Sequence, residues 1–183
     1  MLTYKFSLGV EKMKVQKSLL KLSVALTFTG LVGASAYAAS EPGTASAELI
    51  APLTISENTP IDFGTLAAGP SASVIAMSSA GTRTLSSGDA ELITSDAGNA
   101  AIFDVTGAGT SIYAISFSAS ATVESGSNLM TVNGFSSSIG LTGGLIAGAQ
   151  SFNVGANLNV GASQPAGTYT TAGSPYTVTV NYN

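Results

Sequence analysis

The 183-residue sequence has no cysteine, no histidine and no tryptophan, and only 9% of its residues are charged. Each absence removes a class of chemistry. Without cysteine there is no disulfide, no thiol nucleophile and no lipoprotein anchor. Without histidine there is no Ser–His relay, and most zinc sites lose a ligand. The phosphate-binding and hydrolase signatures (G-x-G-x-x-G, the P-loop, G-x-S-x-G) are missing as well. The densest acidic stretch, SGDAELITSDAGN, holds Asp89, Glu91 and Asp96. A glycosidase needs two carboxylates across a cleft, whereas Asp89 and Glu91 would share one strand face. Their spacing does not fit an EF-hand either. They read as solvated loop or strand-face acids. The expectation is a protein that is not an enzyme and has no cofactor or metal site.

Basic charge is confined to one end. Lys5, Lys12, Lys14, Lys17 and Lys21 precede position 22, leaving Arg83 as the one base beyond them. From Leu22 to Ser40 there is no charge, and Ala36-Tyr37-Ala38 fits the small-residue rule for signal cleavage. Residues 1–38 therefore read as a secretory signal peptide cleaved after Ala38. Met13 is the better start, because MKVQKSLLK is a clean basic region that Glu11 would interrupt. The alternative is a retained membrane anchor, for which nineteen uncharged residues just suffice. Export implies passage through the periplasm, then a cell-surface or extracellular location, with no membrane insertion after cleavage. Residues 39–183 carry nine acids against one base, eight net negative charges. That balance excludes an electrostatic footprint for nucleic acid or anionic lipid and favours a basic partner if any. Arg83 is expected to pair with one of the neighbouring acids.

What remains is rich in Gly, Ser and Thr and shows no helical periodicity, but short runs alternate. Ala101, Phe103 and Val105 form one, Tyr113, Ile115 and Phe117 another. Phe152, Val154, Ala156, Leu158 and Val160 make a third, with asparagines on the other face. Turn signals lie between them at Gly107-Ala108-Gly109, Asn133-Gly134, Gly143-Gly144 and Gln164-Pro165-Ala166-Gly167. Many short strands in a 145-residue chain predict one all-β antiparallel sandwich, a barrel being the alternative. A sparse aromatic content argues against an outer-membrane barrel.

Two further runs stand out. In ASAELIAPLTISE, Ala45, Ala47, Leu49, Ala51, Leu53 and Ile55 take the odd positions, which predicts an amphipathic strand; Pro52 suits an edge or an inserted strand. The closing run puts Tyr176, Val178, Val180 and Tyr182 on one face and Thr177, Thr179 and Asn181 on the other. The expected organisation is an N-terminal extension over residues 39–56 and a sandwich domain over 57–183, with TPIDFGTLAAG as a compact strand near its start.

Three stretches carry a resemblance: PLTISENTPIDFGTLAAG, AAIFDVTGAGTSIYAISF and VGANLNVGASQPAGTYTTAGSPYTVTVNYN. They look like a group of secreted bacterial β-domains known only as a domain of unknown function. The early D-F-G-T strand and the closing P-A-G-T-Y and V-T-V-N-Y are also similar to pilins of the archaic chaperone–usher type, including spore-coat-protein-U-like subunits. Many such pilins carry a disulfide near the first strand, which this chain cannot form. The pilin resemblance implies an immunoglobulin-like sandwich lacking its seventh strand, completed first by a periplasmic chaperone at an outer-membrane usher and then by the extension of the next subunit. It makes Ala45–Ile55 a candidate donor strand and Tyr176–Tyr182 a docking edge, by β-augmentation. The residues alone leave open a closing strand paired within its own chain. They equally leave open a monomeric secreted adhesin that binds glycan through loops Gly107–Ser111 and Asp89–Asn99.

Overall fold

The computed structural model describes residues 38–183; the expected signal segment, apart from Ala38, lies outside them. Residues 38–45 are exposed and carry no regular structure, and the compact unit that holds the fold begins at Ser46. Every regular element in it is a strand. The first five are β1 (Thr54–Thr59), β2 (Leu66–Ala67), β3 (Ser73–Met77), β4 (Arg83–Ser87) and β5 (Glu91–Leu92). Next come β6 (Ala101–Thr106), β7 (Ile112–Phe117), β8 (Ser120–Ser125), β9 (Asn128–Ser137) and β10 (Thr142–Gly144). The chain closes with β11 (Ala149–Val160), β12 (Thr170–Ser174) and β13 (Val178–Tyr182). All pairings are antiparallel, so the fold is the expected all-β sandwich.

The large sheet is built on β11, whose alternation is the longest in the sequence. Its first half pairs with β6, which pairs with β1; its second half pairs with β3, which pairs with β4. On the other side β11 carries β9, then β8, then β12. Phe152, Val154, Ala156, Leu158 and Val160 are all buried, as their period of two demands. A second sheet of order β10-β7-β13 faces only part of this surface. Over that part Tyr113, Ile115 and Leu145 meet Ala101, Phe103, Val105, Phe152 and Val154. Beyond it a second cluster (Ile75, Ala121, Met130, Val132, Ala156, Leu158, Val160) belongs to the large sheet and is covered by segments 60–68 and 164–176 with the β2–β5 ribbon.

Two expected turns are not turns. Asn133-Gly134 lies inside β9, where Gly134 adopts φ +64° and the register slips by one residue against β11. This is a β-bulge, and it reverses which residues face inward. Met130 and Val132 point to the core before it, and Phe135 after it. Gly143-Gly144 lies in β10, where a side chain on Gly143 would overlap the Tyr113 ring. The turn there is Ala147-Gly148, both at positive φ, with Ile146 and Ala149 exchanging backbone hydrogen bonds. That two-residue geometry matches the twist of the strands. The compact strand expected in TPIDFGTLAAG is reduced to an Asp62–Asn99 bridge and the two residues of β2.

Candidate strand-docking site

β13 is an edge. It pairs with β7 on one side, Thr179 opposite Ser116 and Asn181 opposite Ala114. The Ser118 amide donates to Thr177 O at 2.9 Å and the Asn183 amide to Ile112 O at 3.2 Å, so the odd residues hold the ladder. In an antiparallel pair the alternate residues then turn their N–H and C=O groups the other way. Val178, Val180 and Tyr182 thus direct their backbone polar groups to an edge that no strand of the described residues pairs, while Val178 and Val180 pack their side chains on the core. Regular structure begins at Val178 rather than at Tyr176, because Pro175 precedes and the Thr177 amide turns to Ser118 Oγ at 3.0 Å.

Along this free edge runs the segment 51–57, antiparallel to it and joined by side chains alone. The Tyr182 hydroxyl donates to Ala51 O at 2.7 Å and accepts from the Ala108 amide at 2.8 Å. The Tyr176 hydroxyl donates to Glu57 Oε1 at 2.6 Å. Burial, followed by this bond and the charge of Glu57, raises the Tyr176 phenol far above its ordinary value, so it stays protonated and donating. Leu53 and Ile55 are half-buried between the two ties and pack on the same core cluster as Val178 and Val180. Gly107 makes room for this crossing, since a Cβ there would press on Tyr182 Oη, Leu53 and Leu145.

Tyr176 also sits in a row of aromatic rings. It stacks on Phe135 with centroids 4.8 Å apart and meets Phe103 edge-on at 6.1 Å. Phe103 continues to Phe152 at 5.9 Å and Phe135 to Phe117 at 6.3 Å. On one side of Tyr176 lies a small cavity of about 190 Å³ bordered by Glu57, Ile61, Phe103 and Val178. On the other side opens a groove of about 990 Å³. Its floor is Ala121, Val123, Met130, Val132, Leu158 and Val160 of the large sheet; its walls are segments 60–68 and 164–171. The seam and the groove are therefore neighbouring apolar spaces sharing one tyrosine.

The candidate donor residues divide. Ala45, Ala47 and Leu49 lie in no strand, and Leu49 is 93% exposed. Ala51 is exposed and held only through its carbonyl. Ile55 lies in β1 opposite Val105 of β6, with Leu53 just before that strand. The run expected as one strand from Ala45 to Ile55 is thus extended chain without a partner up to Pro52–Leu53, and a ladder only from Thr54. Pro52 explains the break, because it has no N–H to give to a ladder.

Arg83 departs from expectation. Its Nη1 donates to Phe63 O at 2.5 Å and Thr65 O at 2.9 Å, and its Nη2 to Ile93 O at 2.6 Å. It binds carbonyls instead of a carboxylate and ties the groove wall to the turn after β5. Asp89 accepts from the Ser71 amide at 3.1 Å, and Asp96 from Thr65 Oγ1 at 2.6 Å. These acids brace turns. Glu57 and Phe135 are site residues that alternation alone did not single out; Phe135 reaches the site only through the bulge. No group of three metal-ligating side chains gathers among the described residues.

No curated protein and no solved structure matches the chain. Residues 53–182, from the start of the seam to the end of β13, match the domain of unknown function DUF4402, and the chain belongs to that family.

Proposed function

We propose that this protein is a non-enzymatic structural subunit of a bacterial surface fimbria or filament, assembled by β-strand donation. One observation carries the reading: an unpaired strand edge (Val178, Val180, Tyr182) borders an apolar seam, and Tyr176 just before that strand lines the apolar groove next to it. Such an edge invites an added strand, whose backbone supplies the ladder and whose alternate side chains fill the apolar space. The exposed residues 45–50, with Leu49 and Ile50 uncovered, supply a segment of that character in every copy. The pilin resemblance supports the same reading and gives the order of events. The chain is exported by residues 1–38, a periplasmic chaperone holds the edge, and at an outer-membrane usher the extension of another copy replaces it.

The test is electrophoresis of the exported protein without boiling. Strand-exchanged polymers survive detergent and collapse to a single band on heating, and the band's intact mass should place its first residue at Ala39. Deleting residues 39–53 should leave an exported chain that no longer extends the ladder. A chain that runs as a monomer with and without boiling, whether or not those residues are present, refutes strand donation.

A further inference from the structure

We infer that the segment 51–57 is a tyrosine-buttoned cover on the docking edge, whose end outside the ladder, residues 51–53, must lift before another strand is accepted. The inference rests on the strand-donation reading and adds a gate to it. Three features of the seam point to it. The two ties match: Ala51 and Glu57 are six residues apart, as are Tyr182 and Tyr176, and each hydroxyl joins one end of the antiparallel pair. Between the ties there is no ladder, although β1 lies beside β13. The free backbone groups of Val178 and Val180 therefore lie on the side of a segment whose Leu53 and Ile55 pack on the same core cluster and which offers no β-pairing in return.

A strand entering the seam has to displace these contacts first, and it gains what they lack, a backbone ladder. The cover is cheap to lift at its free end. Residues 46–53 are in no sheet, and Ala51 is held there by one hydroxyl, whereas Thr54–Glu57 remain in the β1–β6 ladder. Segments with few buried contacts open locally, without global unfolding. The Tyr182 end should lift first, because the Tyr176 end is anchored by a charge-assisted bond and by stacking on Phe135. The phenolic hydroxyls thus hold an unassembled copy closed while leaving its edge ready.

The experiment uses the chain from residue 39 to 183 and a fluorescein-labelled peptide of residues 39–55, with uptake followed by anisotropy. Tyr182→Phe keeps the ring over Gly107 and removes only the hydroxyl; it should speed uptake about five- to tenfold, the scale of one net hydrogen bond. Glu57→Gln and Tyr176→Phe act at the end that the β1–β6 ladder also holds and should speed it less. Tyr113→Phe is the control: Tyr113 stands opposite Tyr182 in the β7–β13 pair, but its hydroxyl bonds Gln150 Oε1 at 2.7 Å and makes no tie to segment 51–57. It loses a part-buried hydrogen bond, and so stability, without removing a tie of the cover, and should leave the uptake rate unchanged. Equal rates for wild type, Tyr182→Phe and Tyr113→Phe overturn the cover while leaving strand acceptance intact. Acceleration by Tyr113→Phe as large as by Tyr182→Phe also overturns it, since loss of stability alone would then explain the effect. No uptake by any of these proteins overturns the strand-acceptor reading and the cover with it.

Discussion

Arg83 is the one base between Leu22 and the end of the sequence, and its guanidinium holds carbonyls of Phe63, Thr65 and Ile93. Composition made a carboxylate partner the natural expectation. A carbonyl partner leaves no trace in composition, because every residue has one. The same blindness applies to Glu57, whose role depends on which tyrosine reaches it from the far end of the chain. Hydrogen bonds from a charged group are worth more than neutral ones, and two of these three are part-buried. Arg83→Met should therefore destabilise the domain by about 2–3 kcal/mol, read as a lower denaturant midpoint at unchanged slope. The loss should be local in hydrogen exchange, with amides of Gly64 and Thr65 exchanging faster and those of β11 keeping their order of protection. An Arg83→Met protein as stable as wild type would mean that backbone pairing alone holds the groove wall.

Among the strands, legibility follows periodicity. β6, β7, β11 and β13 were readable because each buries one face (β13 half-buries it) more than the other, and the inward residues alternate without interruption. β9 was not, because its bulge changes the inward parity between Val132 and Phe135. The hairpin before β11 was hidden for another reason. Its turn is Ala147-Gly148, with Ala147 at φ +52°, a position where Asn or Gly is the usual signal. A left-handed conformation costs an alanine about 1–2 kcal/mol, and asparagine tolerates it better. Ala147→Asn should therefore stabilise the domain by about 0.5–1 kcal/mol, seen as a higher melting temperature. Destabilisation instead would show that the φ at this turn is not the strained one. The extension was only half legible: six apolar residues at odd positions describe a strand, but Pro52 divides them, and pattern cannot say whether a strand pairs in its own chain.

Residues 39–183 are strongly acidic, with nine acids and one base. The proposed donor and acceptor sides share that sign. Glu41 and Glu48 lie in the extension, while Glu57 borders the small cavity and Asp62 and Asp96 border the groove. Arg83 keeps its charge at the groove wall but is the one cationic side chain of the described residues, so the acids outnumber it. Two copies approaching through these faces repel each other over roughly the Debye length, about 30 Å at 0.01 M salt and about 8 Å at 0.15 M. Final stability of an assembled pair would come from the ladder and apolar burial, which salt affects little; the encounter rate would not. Polymerisation of the 39–183 chain should therefore accelerate with sodium chloride between 10 and 300 mM, by about tenfold or more if steering of ordinary size operates in reverse. Light scattering during assembly reads the rate, and unboiled electrophoresis reads the end point, which should change far less. Adding Leu49→Lys to the donor should reduce the salt dependence, because it places a cation on the approaching segment. Assembly that slows with salt would require an attractive charge pair between copies, and the acidic faces around the seam could not then be the surfaces that meet.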